Sequence, residues 1–235
     1  MRLRPLLAFD FDGTLAPIVA RPDDAHVSVA LARRLDQLSR LLPVAIVSGR
    51  RVDDVAARLG FEPQFIIGNH GAEDETLRQT VADDALEALR ARLQAHGPSL
   101  RAAGVGVEDK RYSVALHYRL APDRDEALDR IAAVLEGARD KTRVFGGRCV
   151  VNVVPDDAPD RGDVVARLVE RCGCASAIFV GDEVNNEPVF IRSQPHWLTI
   201  RVGRNDPGSH ARCYLDGPAE VGILLHRMLD CAVSP

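Results

Sequence analysis

Two aspartates separated by one residue, Asp10 and Asp12 in Asp10-Phe11-Asp12-Gly13-Thr14, directly follow the apolar run Leu6 to Phe9. That run has the character of a strand, and an open α/β sheet places its ligand crevice at the carboxyl ends of its strands. Alternation along an extended chain puts the two carboxylates on one side, close enough to share a divalent cation, while Gly13 lets the backbone turn beside an incoming phosphate. Mg²⁺ prefers such oxygen ligands. One carboxylate, Asp10, can then attack phosphorus as a nucleophile, and Asp12 can serve as acid and then base. A solvated Asx turn or a calcium loop also contains Asp-x-Asp-Gly. The EF-hand spacing fails, because its sixth and twelfth positions here hold Leu15 and Arg21 in place of Gly and Glu.

Three further clusters follow apolar runs or open helices. Ser48-Gly49-Arg50 precedes a helix expected to begin at Arg51, so a hydroxyl and free backbone N–H groups are expected at a phosphate, with Ser48 as a simple N-cap the alternative. Arg161, at the head of a later helix, could aim a guanidinium at two phosphoryl oxygens, although an arginine on its own is usually solvated. Gly181-Asp182-Glu183 ends another strand-like run and offers Asp182 as a third carboxylate for the metal, against the plain alternative of a polar turn.

Elements that would position these residues are legible as strand-like runs alternating with amphipathic helical patterns, the mark of an α/β fold with a parallel sheet. Strands are expected at Leu6 to Phe9, Val44 to Val47, Phe65 to Ile67, Ala177 to Val180 and Trp197 to Val202. Helices are expected through Leu31, Leu35, Leu38 and Leu42, over Arg51 to Leu59 closed by Gly60, after Arg161 with a stop at Gly173, and over Ala219 to Met228. From about Val81 the rhythm changes. A helix to about Ala95, a hairpin of Val105 to Val107 with Ser113 to Tyr118, a helix over Asp123 to Leu135 and a second hairpin, Thr142 to Phe145 with Cys149 to Val154, read as a separate α+β unit. Residues 1–78 and 156–235 are thus expected to form the core and 79–155 an inserted cap.

The 235 residues carry 34 acidic and 30 basic side chains with no stripe of one sign, which argues against nucleic-acid and membrane-surface partners. Small molecules are the expected partners. Five cysteines without paired CxxC spacing suit neither a zinc site nor a disulfide framework, and Cys172-Gly173-Cys174 fits a helix end better than a ligand set. The opening Met1 to Leu7 resembles a signal peptide, but Asp10 and Asp12 interrupt it too early, and no run approaches the length of a membrane span. A cytoplasmic protein is expected; composition leaves the oligomeric state open, with a monomer compatible.

In order and spacing, Asp10-x-Asp12-Gly13-Thr14, Ser48-Gly49-Arg50, Arg161 and Gly181-Asp182 resemble the four motifs of the haloacid dehalogenase superfamily. Within it, Gly68-Asn69-His70-Gly71-Ala72-Glu73, Val107-Glu108-Asp109-Lys110 and Leu116-His117-Tyr118-Arg119 resemble trehalose-6-phosphate phosphatases along nearly the whole chain. The resemblance implies a Rossmann-like core with an α+β cap. It also implies Mg²⁺ on Asp10, Asp12 and Asp182, catalysis by Asp10 and Asp12, and phosphate on Ser48, Gly49 and Arg161. Sugar contacts would come from Arg50, Asn69, His70, Glu108, Lys110 and Asn152. Trehalose 6-phosphate is the implied substrate, with sucrose or glycosyl-glycerate phosphates and a non-catalytic sensor of sugar phosphates as alternatives. Four positions depart from the family pattern: Arg161 stands where lysine is usual, Glu183 and Asn186 where paired acids are usual, and Asn152 where many relatives carry glutamate. Weakened or altered metal binding is the expected consequence of Asn186.

Overall fold

The computed structural model describes residues 4–19, 21–74, 83–204 and 206–233. The chain divides into two compact units, Met1–Leu77 with Pro159–Pro235, and Arg78–Ala158. The first unit opens with β1 (Pro5–Phe9), α1 (Val29–Ser39), β2 (Val44–Val47), α2 (Val52–Leu59), β3 (Phe65–Gly68) and β4 (Glu73–Asp74). The second holds α3 (Asp83–Ala102), β5 (Gly106–Asp109), β6 (Val114–His117), α4 (Arg124–Leu135), β7 (Thr142–Gly147) and β8 (Val150–Pro155). The chain then returns to the first unit for α5 (Arg161–Arg171), β9 (Ser176–Gly181), α6 (Glu187–Arg192), β10 (Leu198–Val202), β11 (Cys213–Leu215) and α7 (Pro218–Val233).

The first unit is built on a seven-stranded sheet in the order β11-β10-β9-β1-β2-β3-β4, parallel except for β4, which runs antiparallel to β3. Strand β1 is apolar throughout because both of its faces are covered. Leu7 and Phe9 pack with Leu31, Leu35, Val55 and Leu225 on one side, and Leu6 and Ala8 pack with Val165, Leu168 and Phe190 on the other. The chain winds from β1 to β2 and β3 in one direction and resumes on the opposite side of β1 with β9. The switch point beside β1 is where such sheets open a crevice. The carboxyl ends of neighbouring strands β9, β1, β2 and β3 lead into Asp182, Asp10, Ser48 and Asn69.

The second unit is a four-stranded antiparallel sheet, β5-β6-β8-β7. Its Val114, Leu116 and Val153 pack on Leu86, Leu89, Leu93, Ile131 and Val134 of α3 and α4. Alternation therefore places Glu108, Ala115, Asn152 and Phe145, paired in one row across the sheet, on the opposite face. The hairpin after β5 turns through Arg111 at φ +71°. Arg90 of α3 fastens this turn, donating to both carboxylate oxygens of Asp109 and to the Arg111 carbonyl.

Several boundaries differ from the sequence expectations. Helix α3 runs through Pro98 to Ala102, seven residues past its expected end. Burial of Leu100 and Ala103 in the second unit's core outweighs the hydrogen bond that proline cannot donate. Strands β4 and β11 and helix α6 are too short to have announced themselves by periodicity. The expected core boundary at residue 78 and the expected helix start at Val81 lie outside the described residues. Among the described residues no helix is long and apolar enough to cross a membrane.

Candidate active site

Asp10 leaves β1 with its N–H bonded to the Val180 carbonyl and its side chain almost fully buried. Carboxylate oxygen Oδ1 accepts from the Phe11 N–H at 2.7 Å. Oδ2 accepts from Asn186 Nδ2 at 3.0 Å and from the guanidinium of Arg161. Arg161 is the first residue of α5, set there by a reciprocal capping box between Asp160 and Asp163. Its Nη1 also donates to Asn186 Oδ1, and its buried Nε has no hydrogen-bond partner among the described residues. Burial works against the Arg161 charge, but Asp10, Glu183 and Asp182 more than restore it and raise its pKa.

Asp182 lies against Gly13. A Cβ on that glycine, whose φ is +74°, would fall 2.0 Å from Asp182 Oδ2. Thr14 Oγ1 donates to Asp182 Oδ1 at 3.4 Å. Burial pushes the Asp182 carboxyl up to about 8, and the charges of Asp10 and Glu183 push in the same direction against a smaller opposing pull from Arg161. The charges of Asp10, Asp182 and Glu183 act on one arginine, which leaves this edge short of positive charge, and carboxylate oxygens in such surroundings suit a hard divalent cation. Asp12 is turned elsewhere. Arg50 donates from Nε to Asp12 Oδ2 at 2.7 Å and from Nη2 to Asp12 Oδ1 at 2.8 Å, while its Nη1 reaches Asp54 at 2.8 Å. Among the described residues no three His, Cys, Asp or Glu side chains converge as a ready ligand set, in keeping with the Asp12 carboxylate facing Arg50. Arg50 also lies over the Phe11 ring, 5.4 Å from its centroid. Burial disfavours its charge, but Asp12 and Asp54 raise its pKa above the ordinary arginine value.

The Ser48-Gly49-Arg50 loop is more internally bonded than the sequence implies. Ser48 Oγ accepts from the Arg50 N–H at 3.1 Å, and Glu73 accepts from the Val52 N–H at 3.0 Å, so these two backbone donors are not free. The helix starts at Val52, one residue later than expected, and Glu73 closes its end from β4. Asn69 and His70 follow β3 with φ of 50° and 60°. The Asn69 amide donates to Glu73 at 2.7 Å. The Asn69 and His70 N–H groups donate to the Arg50 and Ser48 carbonyls. A Cβ on Gly49 would meet the His70 ring at 2.3 Å, so glycine is what lets loop and ring approach.

The structure thus gathers Asp10, Asp12, Ser48, Gly49, Arg50, Asn69, His70, Arg161 and Asp182 at one edge of the first unit's sheet. Glu108, Lys110 and Asn152 belong to the second unit. There Glu108 is bonded to His117 Nε2 at 2.8 Å and lies 3.7 Å from Lys110 Nζ, and Asn152 is buried in β8. Sequence reasoning missed Asp54, Glu73 and the direct contact of Asn186 with Asp10. Asp54 was within reach, since it stands four residues after Arg50 at the start of a helix. Glu73 arrives through the antiparallel return of β4 and leaves no local signal. The five cysteines are free, and burial raises the Cys172 and Cys174 thiols above their usual range.

The chain resembles known proteins over most of its length. Residues 8–212 match the family model described as trehalose-phosphatase. A trehalose-phosphate phosphatase of Mycobacterium marinum is 37% identical over 243 aligned positions, covering 96% of this chain and 61% of that protein. The chain therefore spans about three-fifths of that relative's length. Solved structures share the fold. The C-terminal domain of C. albicans trehalose-6-phosphate phosphatase superposes with a TM-score of 0.79 at 22% identity, covering 97% of this chain and 92% of that one. A trehalose-6-phosphate phosphatase related protein gives 0.81 at 20% identity, with coverage of 97% and 98%. The α/β fold is accordingly the one those structures have, and the chain belongs to the trehalose-phosphatase family.

Proposed function

We propose that this protein is a cytoplasmic, magnesium-dependent phosphatase that hydrolyses trehalose 6-phosphate to trehalose and phosphate through an aspartyl-phosphate on Asp10. The strongest support is the buried Asp10 carboxylate at the end of β1, fixed by Arg161 and Asn186 and adjoining Asp182. The relative from M. marinum carries the trehalose-phosphate phosphatase name, and its identity of 37% favours the same substrate here.

A carboxylate oxygen of Asp10 attacks phosphorus as the bond to the sugar oxygen breaks, and Asp12 gives that oxygen a proton. Asp12 then takes a proton from water, whose oxygen attacks the same phosphorus and frees Asp10 and inorganic phosphate. The Asp12 carboxylate must first release at least one of its two bonds to Arg50 and take up a proton from solvent, which is the proton it gives to the sugar oxygen; the proton then taken from water restores that state. Ser48, Gly49 and Arg161 hold the phosphoryl oxygens, with Arg161 using the guanidinium edge that includes its unpartnered Nε. Asp10, Asp12 and Asp182 would hold Mg²⁺, which supplies neutralisation of phosphate charge. Residues 79–155 serve as the specificity cap, in which Glu108, Lys110 and Asn152 contact the sugar, while Arg50, Asn69 and His70 serve it from the core.

The test is phosphate release from trehalose 6-phosphate, sucrose 6-phosphate, glucose 6-phosphate and an aryl phosphate, with and without Mg²⁺. Preferential, magnesium-dependent turnover of trehalose 6-phosphate is expected. Turnover of the aryl phosphate alone keeps the chemistry and removes the substrate. No turnover, with retained binding of the sugar phosphate, would leave a sensor.

A further inference from the structure

We infer that Arg161 and Asn186 are a matched pair, and that Asn186 is a positioning residue that orients the Asp10 carboxylate. The inference rests on the proposed role of Asp10 as nucleophile. Asn186 is fully buried and closes a ring of three side chains. Its Nδ2–H donates to Asp10 Oδ2 at 3.0 Å, its Oδ1 accepts from Arg161 Nη1, and the same Nη1 donates to Asp10 Oδ2. An amide at this position donates to one neighbour and accepts from the other, which an ionised carboxylate, having no proton to give, cannot do.

The backbone is shaped to let this ring form. A Cβ at Gly181 would fall 2.5 Å from Asn186 Nδ2, and a Cβ at Gly162, next to Arg161, would fall 2.7 Å from the Pro188 carbonyl. Glycine at both points allows the loop after β9 to close on the head of α5. Two bonds then fall on Oδ2 and one on Oδ1, so the carboxylate is fixed about its own axis.

Charge explains why the two departures from the family pattern occur together. Asp10, Asp182 and Glu183 act on one another with Arg161 as the nearby counter-charge. An acid at 186 would set a further negative charge within hydrogen-bond range of Asp10 and divide Arg161 between two carboxylates. A lysine at 161 would place its whole charge on one nitrogen between Asp10 and position 186, where an acid can share it, whereas the guanidinium bonds the pair through Nη1 and keeps a second edge for phosphate. Arginine with an amide, and lysine with an acid, are each self-consistent; the mixed pairs are not.

A double-mutant cycle tests this with Arg161→Lys, Asn186→Asp and the two combined, read as kcat and KM for trehalose 6-phosphate and as melting temperature of the metal-free protein. Each single variant is expected to lose roughly 10- to 100-fold in kcat with KM moved less than about threefold, and the combined variant to regain roughly tenfold or more over the worse single. Asn186→Ala should show the same split between kcat and KM while melting as a folded protein. Losses that multiply in the combined variant, or an Asn186→Ala enzyme with unchanged kcat, would overturn the pairing. If the wild-type protein turns over nothing, the phosphatase proposal fails separately and the melting cycle decides. Shifts that cancel in the combined variant sustain the pair, and shifts that add refute it.

Discussion

Arg50 grips both carboxylate oxygens of Asp12, at 2.7 and 2.8 Å, and reaches Asp54 with its remaining terminal nitrogen. One guanidinium thereby ties the turn after β1 to the first turn of α2, and the acid/base candidate is held in a fork.

Replacing Arg50 with glutamine should leave Asp12 and Asp54 without their shared cation in a partly buried place. The expected cost is about 2 kcal/mol of stability, in line with the loss of hydrogen bonds to charged groups. Activity should fall as well, since Asp12 loses its guide. A denaturant titration beside steady-state kinetics checks both; an Arg50→Gln enzyme as stable and as fast as wild type would remove Arg50 from the site.

Gly13→Ala joins two penalties. The backbone sits at φ +74°, which costs an ordinary L-residue roughly 1–2 kcal/mol, and the new Cβ would collide with the Asp182 carboxylate. Asp182 must move, so kcat/KM is expected to drop by about a hundredfold, as a small misplacement near reacting groups does. Kinetics of this variant beside Gly60→Ala, which has the same backbone sign but meets only the Ala32 methyl at 3.5 Å, separates the collision from the strain.

Removal of metal by a chelator should abolish turnover, and readdition of Mg²⁺ should restore it. A ligand that binds only the folded state stabilises it by about 2.7 kcal/mol at a hundredfold excess over Kd, so the melting temperature should rise by about 5 °C or more. Asp182→Asn is expected to lose that rise. An equal rise in wild type and variant would place the cation elsewhere.

The second unit carries a pH-dependent tie. A hydrogen bond from Arg90 holds Asp109 below the ordinary carboxylate range, against a smaller opposing effect of burial. A depressed folded-state pKa means that the stabilisation is complete above the unfolded value near 3.8 and disappears as pH falls through the folded one. The Asp109 side chain is nearly half exposed, so the contribution is about 1 kcal/mol at most. Asp109→Asn should therefore melt slightly below wild type at pH 7, with the gap closing as pH falls below the unfolded value near 3.8. A gap that widens on acidification would contradict the direction of the shift.

The sequence alone determined the α/β class, the positions of the longer strands and helices, and the order of the chemical motifs. These are local properties. An apolar run covered on both faces, as Leu6 to Phe9 is, or a helix closed by a left-handed glycine, as at Gly60, is written in neighbouring residues. Short elements such as β4 and α6, and the passage of α3 through Pro98, depend on packing against distant residues and carry no such signature.

Tertiary structure alone decided which charges meet. Asp10 and Asp12 are two residues apart, yet one is bonded to Arg161, 151 positions away, and the other to Arg50, 38 positions away. Periodicity places side chains on a face but does not select the partner brought by another strand. Strand order, with β9 beside β1, brings Asp182 and Asn186 to Asp10, and the glycines at 13, 162 and 181 provide the space that this approach requires. Pairing of ionised groups follows distance in space, and distance in space is set by the whole fold.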